Sequence, residues 1–229
     1  MKNYKLAITL CFLLFSSAVY AQSSLKPAIK CNYLLYLPEG YNNSDQNFPL
    51  LVYLHGKSHR GNDLNKLKGY GLPRLIDKGN NYAFIIASPQ CPDTTYWARV
   101  NWFDSLYSDL TSKYRIDPNR IYLTGISMGG YGSWQAALDF PDRFAAIVPL
   151  CGGCSDSTDL CSIKDLPVWT FHGTKDNIVP IHETEYIVER LKKCGSNVRF
   201  TRIENAGHDI TSEFENKEIY DWLIQQKKY

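Results

Sequence analysis

The chain has 229 residues, of which 44% are hydrophobic and 21% charged, and its formal charge is +2. This length fits one large domain with a substantial core, and the composition is ordinary for a globular protein. No block of basic residues indicates nucleic acid or an acidic surface as a partner.

The N-terminus has the pattern of a signal peptide. Lys2 and Lys5 precede a short apolar run, and small residues follow up to Ala21. This predicts a leader over residues 1–21 and an exported catalytic domain over residues 22–229, either periplasmic or secreted. The apolar run is too short for a spanning helix, so we expect no stable membrane insertion of the mature chain. Cleavage leaves 23 basic and 23 acidic residues and a formal charge of zero.

Cysteine usage is consistent with export. Six cysteines remain after cleavage, and an even count favours disulfides without defining their connectivity. They are Cys31, Cys91, Cys151, Cys154, Cys161 and Cys194. Zinc is the alternative interpretation of Cys151-x-x-Cys154, but no histidine lies at ligand spacing. We therefore expect no metal and no cofactor.

Strand-like and helical segments alternate along the chain. This pattern predicts parallel β-α-β units in an α/β three-layer sandwich with a mostly parallel central sheet. The predicted strands are Cys31–Leu37, Leu50–Leu54, Tyr82–Ala87, Arg120–Thr124, Ala145–Leu150, Val168–Phe171 and Val198–Ile203. The predicted helices are Leu72–Lys78, Phe103–Tyr114, Met128–Phe140, His182–Lys193 and Glu213–Gln226. Functional residues of such folds collect where the strands end.

A Gly-x-Ser-x-Gly motif lies between a predicted strand and a predicted helix. Its glycines, Gly125 and Gly129, flank Ser127 in "LTGISMGG". A sharp strand-to-helix turn would raise the serine hydroxyl out of the sheet and aim the Met128 N–H at a developing oxyanion. This context predicts that Ser127 is a nucleophile.

A serine nucleophile needs a base and an orienting acid. Asp176 follows a strand in "FHGTKDNIVP", and His208 follows the next strand in "ENAGHDI". Ser127, Asp176 and His208 come in the order Ser…Asp…His, which predicts a catalytic triad. Asp209 and Asp165 are rival acids, but neither lies past the end of a core strand.

The turn after the second predicted strand supplies the other oxyanion donor. In "YLHGKSH" we assign the Lys57 amide to this role, with Gly56 or Ser58 as alternatives. The ring of His55 is expected to be a structural hydrogen-bonding group rather than a base. His172 is expected to pack at a strand end.

Five segments of the sequence resemble a known family. The segments "LHGKSHRGN", "ASPQCPDTTYW", "LTGISMGGYGSWQAALDFPDRFAAIVPLCGG", "HGTKDNIVP" and "AGHD" are similar to secreted α/β-hydrolases described as predicted peptidases or carboxylesterases. These are relatives of polyhydroxybutyrate-depolymerase-like, feruloyl-esterase-like and phospholipase/carboxylesterase enzymes. The resemblance implies the α/β-hydrolase fold and the Ser127–Asp176–His208 triad. One departure is Lys57, where such enzymes often carry a smaller residue.

The surroundings of the serine predict an open site. The connection 151–166 is too short to build a helical lid, although a Cys154–Cys161 bond would stiffen it, so lipase-type substrates are disfavoured. An aromatic loop, "TTYWARVNWF", offers Trp97 and Trp102 as stacking platforms for a sugar or aryl group, or else as core residues. His59 either borders the cleft or faces water.

These observations favour an exported serine esterase that acts through an acyl-enzyme on Ser127. The expected substrates are acyl groups on carbohydrates, including oligosaccharides, or small aryl esters. A serine peptidase of the prolyl-oligopeptidase type is the alternative, and a non-catalytic binding protein on the same scaffold is a third class. The sequence does not indicate an oligomeric state.

Overall fold

Seven strands form a single sheet. The computed structural model describes residues 26–154 and 159–228, so the predicted leader over residues 1–21 lies outside the described part. The strands are β1 (Tyr33–Tyr36), β2 (Phe48–Leu54), β3 (Ile85–Pro89), β4 (Ile116–Ile126), β5 (Ala146–Leu150), β6 (Trp169–Gly173) and β7 (Arg199–Ile203). Their spatial order is β1-β3-β2-β4-β5-β6-β7. Only the edge pair β1–β3 is antiparallel among the strand pairs of the described residues.

In the described residues, five α-helices and several short 3-10 helices connect the strands or follow the last of them. The α-helices are α1 (Gly71–Asp77), α2 (Phe103–Lys113), α3 (Met128–Asp139), α4 (His182–Lys193) and α5 (Lys217–Gln225). The single helix predicted over Glu213–Gln226 is divided: a 3-10 turn, Thr211–Glu215, precedes α5. The division occurs at Asn216, whose side chain accepts the Glu218 N–H at 3.0 Å and caps α5.

The sheet separates two hydrophobic layers. Leu50, Val52 and Leu54 of β2 face a cluster that includes residues of α2, α3 and α4, whereas Leu51 and Tyr53 face a cluster that includes residues of α1 and α5. This alternation is the side-chain period of a strand buried on both faces. The expected three-layer sandwich is confirmed. Within residues 26–154 and 159–228, none of the helices combines the length and apolar character needed to span a bilayer.

A disulfide bond joins the connection between β5 and β6 to the end of α4. In its described part it contains a 3-10 helix, Leu160–Ile163, and Cys161 on this helix is bonded to Cys194 with a Cα separation of 5.4 Å. The suggested Cys154–Cys161 bond is therefore wrong. The 3-10 helix packs against α4, which brings Cys161 to the end of that helix.

Candidate active site

Ser127 occupies the single residue between β4 and α3. Its backbone has φ 59° and ψ −119°, a conformation that L-residues rarely adopt outside functional turns. The Ser127 N–H donates to the Leu150 carbonyl at 2.9 Å, and the Ser127 carbonyl accepts the Tyr131 N–H at 3.0 Å. These two bonds hold the strained residue in place.

The flanking glycines are required by close backbone contacts. A Cβ on Gly125 would lie 2.6 Å from the Gly129 carbonyl oxygen, and a Cβ on Gly129 would lie 2.0 Å from the Leu54 carbonyl oxygen. Any side chain at either position would push α3 away from the end of β2. The small residues thus bring the start of α3 against the turn that follows β2.

Ser127, His208 and Asp176 form a continuous hydrogen-bonded chain. His208 Nε2 lies 2.8 Å from Ser127 Oγ, and His208 Nδ1 lies 2.7 Å from Asp176 Oδ2. An ionised carboxylate only accepts, so Nδ1 carries the ring proton and Nε2 is free to accept from the serine hydroxyl. The side chain of His208 is 23% exposed and that of Asp176 is fully buried. This arrangement can transfer the serine proton to the ring.

Asp176 is held as a carboxylate. Burial alone favours its protonated form, but the hydrogen bonds from His208 and from the N–H groups of Val179 and Ile178 outweigh burial and lower its pKa. Both N–H groups donate to Oδ1 at 2.9 Å, which leaves Oδ2 for the His208 ring. The loop after β6 therefore both orients the carboxylate and keeps it charged.

His172 lies behind the carboxylate, a contact that the sequence analysis missed. As expected, it packs at the end of β6, where it is fully buried. Its Nε2 lies 2.8 Å from the Val179 carbonyl and 3.2 Å from Asp176 Oδ2, and its Nδ1 lies 2.8 Å from Thr184 Oγ1. The available signal was the "HGTKD" spacing, which places His172 four residues before Asp176 on a tight turn.

A buried thiol completes this layer without making a metal site. Cys151 Sγ, a ring nitrogen of His172 and a carboxylate oxygen of Asp176 lie within 4.8 Å of one another. Burial favours the thiol form of Cys151 and raises its pKa to about 12. Both histidine nitrogens are engaged in hydrogen bonds. The three groups therefore fit a hydrogen-bonded network better than a cation.

The turn after β2 lies against the serine. A Cβ on Gly56 would be 3.7 Å from Ser127 Cβ, and a 3-10 helix, Lys57–His59, begins at the next residue. The Lys57 and Met128 amides each open a helix, where N–H groups lack intrahelical acceptors. Lys57, which departs from the family pattern, is exposed to solvent.

The His55 ring orients this turn, in keeping with its expected structural role. It is buried, and burial lowers its pKa to about 4, so the ring is neutral near neutral pH. Its Nδ1 lies 2.7 Å from the Gly56 carbonyl, and its Nε2 accepts the Cys91 N–H at 3.0 Å. Because a trans peptide directs its C=O and N–H oppositely, binding the Gly56 carbonyl turns the Lys57 N–H away from the ring.

The proposed stacking role of Trp97 and Trp102 is wrong. Their exposed fractions are 1% and 2%, so neither can present a face to a substrate. The Trp97 indole N–H donates to the His55 carbonyl at 3.1 Å, and its side chain packs on Gly132 of α3. The aromatic loop therefore supports the site from inside the core. Its composition could not distinguish the two roles, because both use the same residue types.

His59, in the turn after β2, forms an aromatic pair with Tyr70. The half-buried His59 ring stacks on Tyr70 with centroids 4.6 Å apart and an interplanar angle of 16°. The Tyr70 hydroxyl donates to Asp209 Oδ1 at 3.2 Å, next to His208. Asp209 also accepts from the N–H and the hydroxyl of Thr211, whereas the His208 ring is bonded to Asp176. Sequence reasoning did not identify Tyr70.

Curated relatives with similar sequences are named as esterases and depolymerases. Feruloyl esterase D of Neurospora crassa is 26% identical over 207 residues, covering 76% of this chain and 67% of the relative. The bifunctional acetylxylan esterase/xylanase XynS20E of Neocallimastix patriciarum is 25% identical over 157 residues, 66% of this chain. The chain spans only 22% of that relative, and 28% of a poly(3-hydroxyalkanoate) depolymerase C from Paucimonas lemoignei.

The fold and the family are both established by comparison. The crystal structure of a thermostable esterase superposes with a TM-score of 0.71 at 32% identity, covering 86% of this chain and 59% of the other. The family model described as Phospholipase/Carboxylesterase matches residues 101–223, which include the serine, the carboxylate and the histidine of the hydrogen-bonded chain. The chain has the α/β-hydrolase fold and belongs to the phospholipase/carboxylesterase family.

Proposed function

We propose that the chain is a serine carboxylic-ester hydrolase that acts through an acyl-enzyme on Ser127. The observation that carries this proposal is the hydrogen-bonded chain from Ser127 Oγ through His208 to the buried Asp176. Ser127 is half-buried rather than fully enclosed in the core, which is compatible with access from solvent.

The first half-reaction forms the acyl-enzyme. Ser127 Oγ attacks the ester carbonyl carbon while its proton passes to His208 Nε2, and Asp176 stabilises the resulting imidazolium. The carbonyl oxygen becomes an oxyanion, for which we assign the Met128 and Lys57 amides as donors. One such donor lowers the barrier by about 3 kcal/mol in serine hydrolases. The C–O bond of the ester then breaks, and His208 returns the proton to the departing alcohol.

The second half-reaction repeats the chemistry with water. His208 removes a proton from a water molecule, which attacks the acyl carbon. The bond between that carbon and Ser127 Oγ then breaks, His208 returns the proton to Oγ, and the carboxylic acid leaves. The same two amides stabilise the second oxyanion. One constellation thus serves both steps, and no group beyond the protein and water is required.

Acyl groups on carbohydrates, or small aryl esters, are the substrates we propose. Relatives carry the names feruloyl esterase and acetylxylan esterase. The half-buried serine and the exposed Lys57 and Ser58 beside it are compatible with a bulky alcohol that stays largely in solvent.

Labelling with a fluorophosphonate probe tests the nucleophile. The wild-type chain should react at Ser127, and Ser127→Ala should abolish labelling and reduce kcat by roughly 10⁴- to 10⁶-fold. Ser112→Ala is the matched control, because Ser112 is exposed on α2 and should label and turn over like wild type. An unlabelled wild-type chain would favour the binding-protein hypothesis.

Substrate panels separate the esterase from the peptidase. We expect turnover of p-nitrophenyl acetate, methyl ferulate or acetylated xylo-oligosaccharides, and none of peptide p-nitroanilides. Preferred cleavage of the anilides would overturn the esterase assignment while leaving the nucleophile intact.

Export is part of the proposal. It is supported by the leader pattern before Ala21 and by the Cys161–Cys194 disulfide, a bond typical of oxidising compartments. N-terminal sequencing of the chain recovered from a periplasm or medium should begin at Gln22. Recovery of the intact N-terminus in the cytoplasm would contradict export.

A further inference from the structure

Cys31 and Cys91 face each other across the antiparallel edge of the sheet. The β1–β3 register pairs Tyr33 with Pro89, and the Gln90 N–H continues it by donating to the Asn32 carbonyl at 2.8 Å. The next pair in this register is Cys31 with Cys91. Both side chains belong to the same buried cluster, with exposed fractions of 7% and 0%.

The backbone hydrogen bonds of Cys91 show whether it and Cys31 are a hydrogen-bonded or a non-hydrogen-bonded pair of the antiparallel ladder. Its N–H donates to His55 Nε2 at 3.0 Å, and its carbonyl accepts the Gly61 N–H at 2.9 Å, so both groups are directed at the turn after β2. Cys31 and Cys91 thus form a non-hydrogen-bonded pair, the kind with the closer side chains and a typical Cα separation of about 4.5 Å. Disulfides accept Cα separations of about 4.4–6.8 Å.

We propose that Cys31 and Cys91 are joined by a second disulfide when the chain folds in an oxidising compartment. Both are thiols in the structure. In the reaction the two thiols lose two protons and two electrons and form one S–S bond. The acceptor is a small-molecule disulfide such as oxidised glutathione, which is reduced to two thiols.

The bond must form before the core closes. Burial raises the pKa of Cys31 to about 11 and that of Cys91 to about 12, so neither is a ready nucleophile once the fold is complete. In the unfolded or partly folded chain both have ordinary thiol reactivity. The proposal therefore concerns biosynthetic folding, not a switch in the finished protein.

The bond would stabilise the turn after β2, residues 55–61, through Cys91. The Cys91 backbone holds His55 at the start of the turn and Gly61 at its end. Linking Cys91 to Cys31 would anchor the edge strand β1 to this support. The proposal does not depend on the esterase assignment, because the cross-link is a property of the fold.

Non-reducing peptide mapping tests the bond directly. Trypsin should release residues 31–57 and residues 79–99, each with a single cysteine. The chain folded in a periplasm, or refolded with a glutathione couple, should yield the two peptides linked, and separate after reduction. Full alkylation of both cysteines in the unreduced, denatured chain would overturn the proposal.

Thermal melting provides a second, independent measurement. The bond closes a loop of about 60 residues, for which chain entropy predicts a fall in Tm of roughly 5–15 °C on removal. Cys31→Ala, Cys91→Ala and the double variant should lose the same amount, since each removes the same bond. Two thiols that only pack would instead give additive losses.

Reductant separates the two cases further. We expect that unfolding and refolding in reductant removes most of the difference between the wild type and the Cys31→Ala/Cys91→Ala variant, and leaves only the packing of two buried side chains. Because reduction also opens Cys161–Cys194, the comparison is repeated on a Cys161→Ala/Cys194→Ala background. A difference on that background that refolding in reductant leaves unchanged would reject the cross-link.

Discussion

The substitution Gly129→Ala tests whether close backbone packing positions the nucleophile. The new Cβ would lie 2.0 Å from the Leu54 carbonyl oxygen, 2.6 Å from the Leu54 carbonyl carbon and 3.0 Å from the His55 carbonyl oxygen. All three contacts are with backbone atoms, and Cβ itself is fixed to the helix. No change of rotamer on either side can therefore relieve the overlap.

The size of the effect follows from the required displacement. Ordinary contact begins at 3.4 Å, so α3 and the end of β2 must separate by about 1.4 Å. Ser127 moves with α3, and the Lys57 amide moves with β2. A misplacement of about 1 Å at a reacting centre costs roughly 100-fold in rate, so we expect kcat to fall at least roughly 100-fold. The overpacked core should also lose about 1–3 kcal/mol of stability, a fall in Tm of roughly 2–12 °C.

The assay is p-nitrophenyl acetate turnover together with thermal melting. Gly69→Ala is the matched control, because a Cβ there meets no atom within 4 Å; its kcat and Tm should match wild type. Wild-type kcat and Tm in Gly129→Ala would refute the reasoning. A lower Tm with unchanged kcat for the folded fraction would show that the close packing of α3 on the end of β2 stabilises the fold but does not position Ser127.

Three further predictions concern the histidines and Asp176. His172→Phe removes the ring nitrogen behind Asp176 and should lower kcat roughly 10- to 100-fold with little change in KM, whereas an equal rise in KM would contradict positioning. His55 has a folded pKa of about 4 against about 6.5 unfolded, so its stabilisation is complete above pH 6.5 and is lost as the pH falls towards 4. Urea unfolding at pH 7 and pH 4.5 should show this loss, on the order of 3 kcal/mol, and His55→Gln should lack it. The pKa of Asp176 is lowered on folding, so its charge stabilises the fold above about pH 4, and this contribution is lost as the pH falls through the folded pKa. Asp176→Asn should lack this loss of stability in acid and should reduce kcat roughly 10⁴-fold. Unchanged turnover would exclude Asp176 as the acid that orients His208.

Much of the fold could be predicted because a strand buried on both faces of the sheet is a continuous run of apolar residues, which is easy to recognise. The continuous apolar run of β2 and the amphipathic pattern of α4 indicate their elements directly, and α4 has the predicted bounds. The start of β4 was missed because Asp117, Pro118 and Asn119 are typical of a turn. In the structure Ile116 pairs with Phe48 before the ladder shifts register, so the strand extends through this polar stretch.

The sequence predicted those site residues that directly follow a parallel strand, because parallel strands all end at the same edge of the sheet. Ser127, Asp176 and His208 each follow a parallel strand, so their loops had to meet at one edge of the sheet. The orientation of Trp97 depends on its contacts with Gly132 of α3 and with the His55 carbonyl, and the partner of Cys161 depends on how a 3-10 helix docks on α4. Those contacts arise from packing between segments distant in sequence, which composition and spacing do not encode.

The geometry of the site depends mostly on backbone atoms. Amides of Ile178 and Val179 hold Asp176, and a carbonyl of β2 sets how closely α3 may approach. Amides are also the assigned oxyanion donors, so an exposed lysine at position 57 can replace a smaller residue without removing the donor. The stacked, half-buried His59 and Tyr70 lie outside the hydrogen-bonded chain of Ser127, His208 and Asp176, so we expect substitutions there to change substrate preference more than the reaction itself.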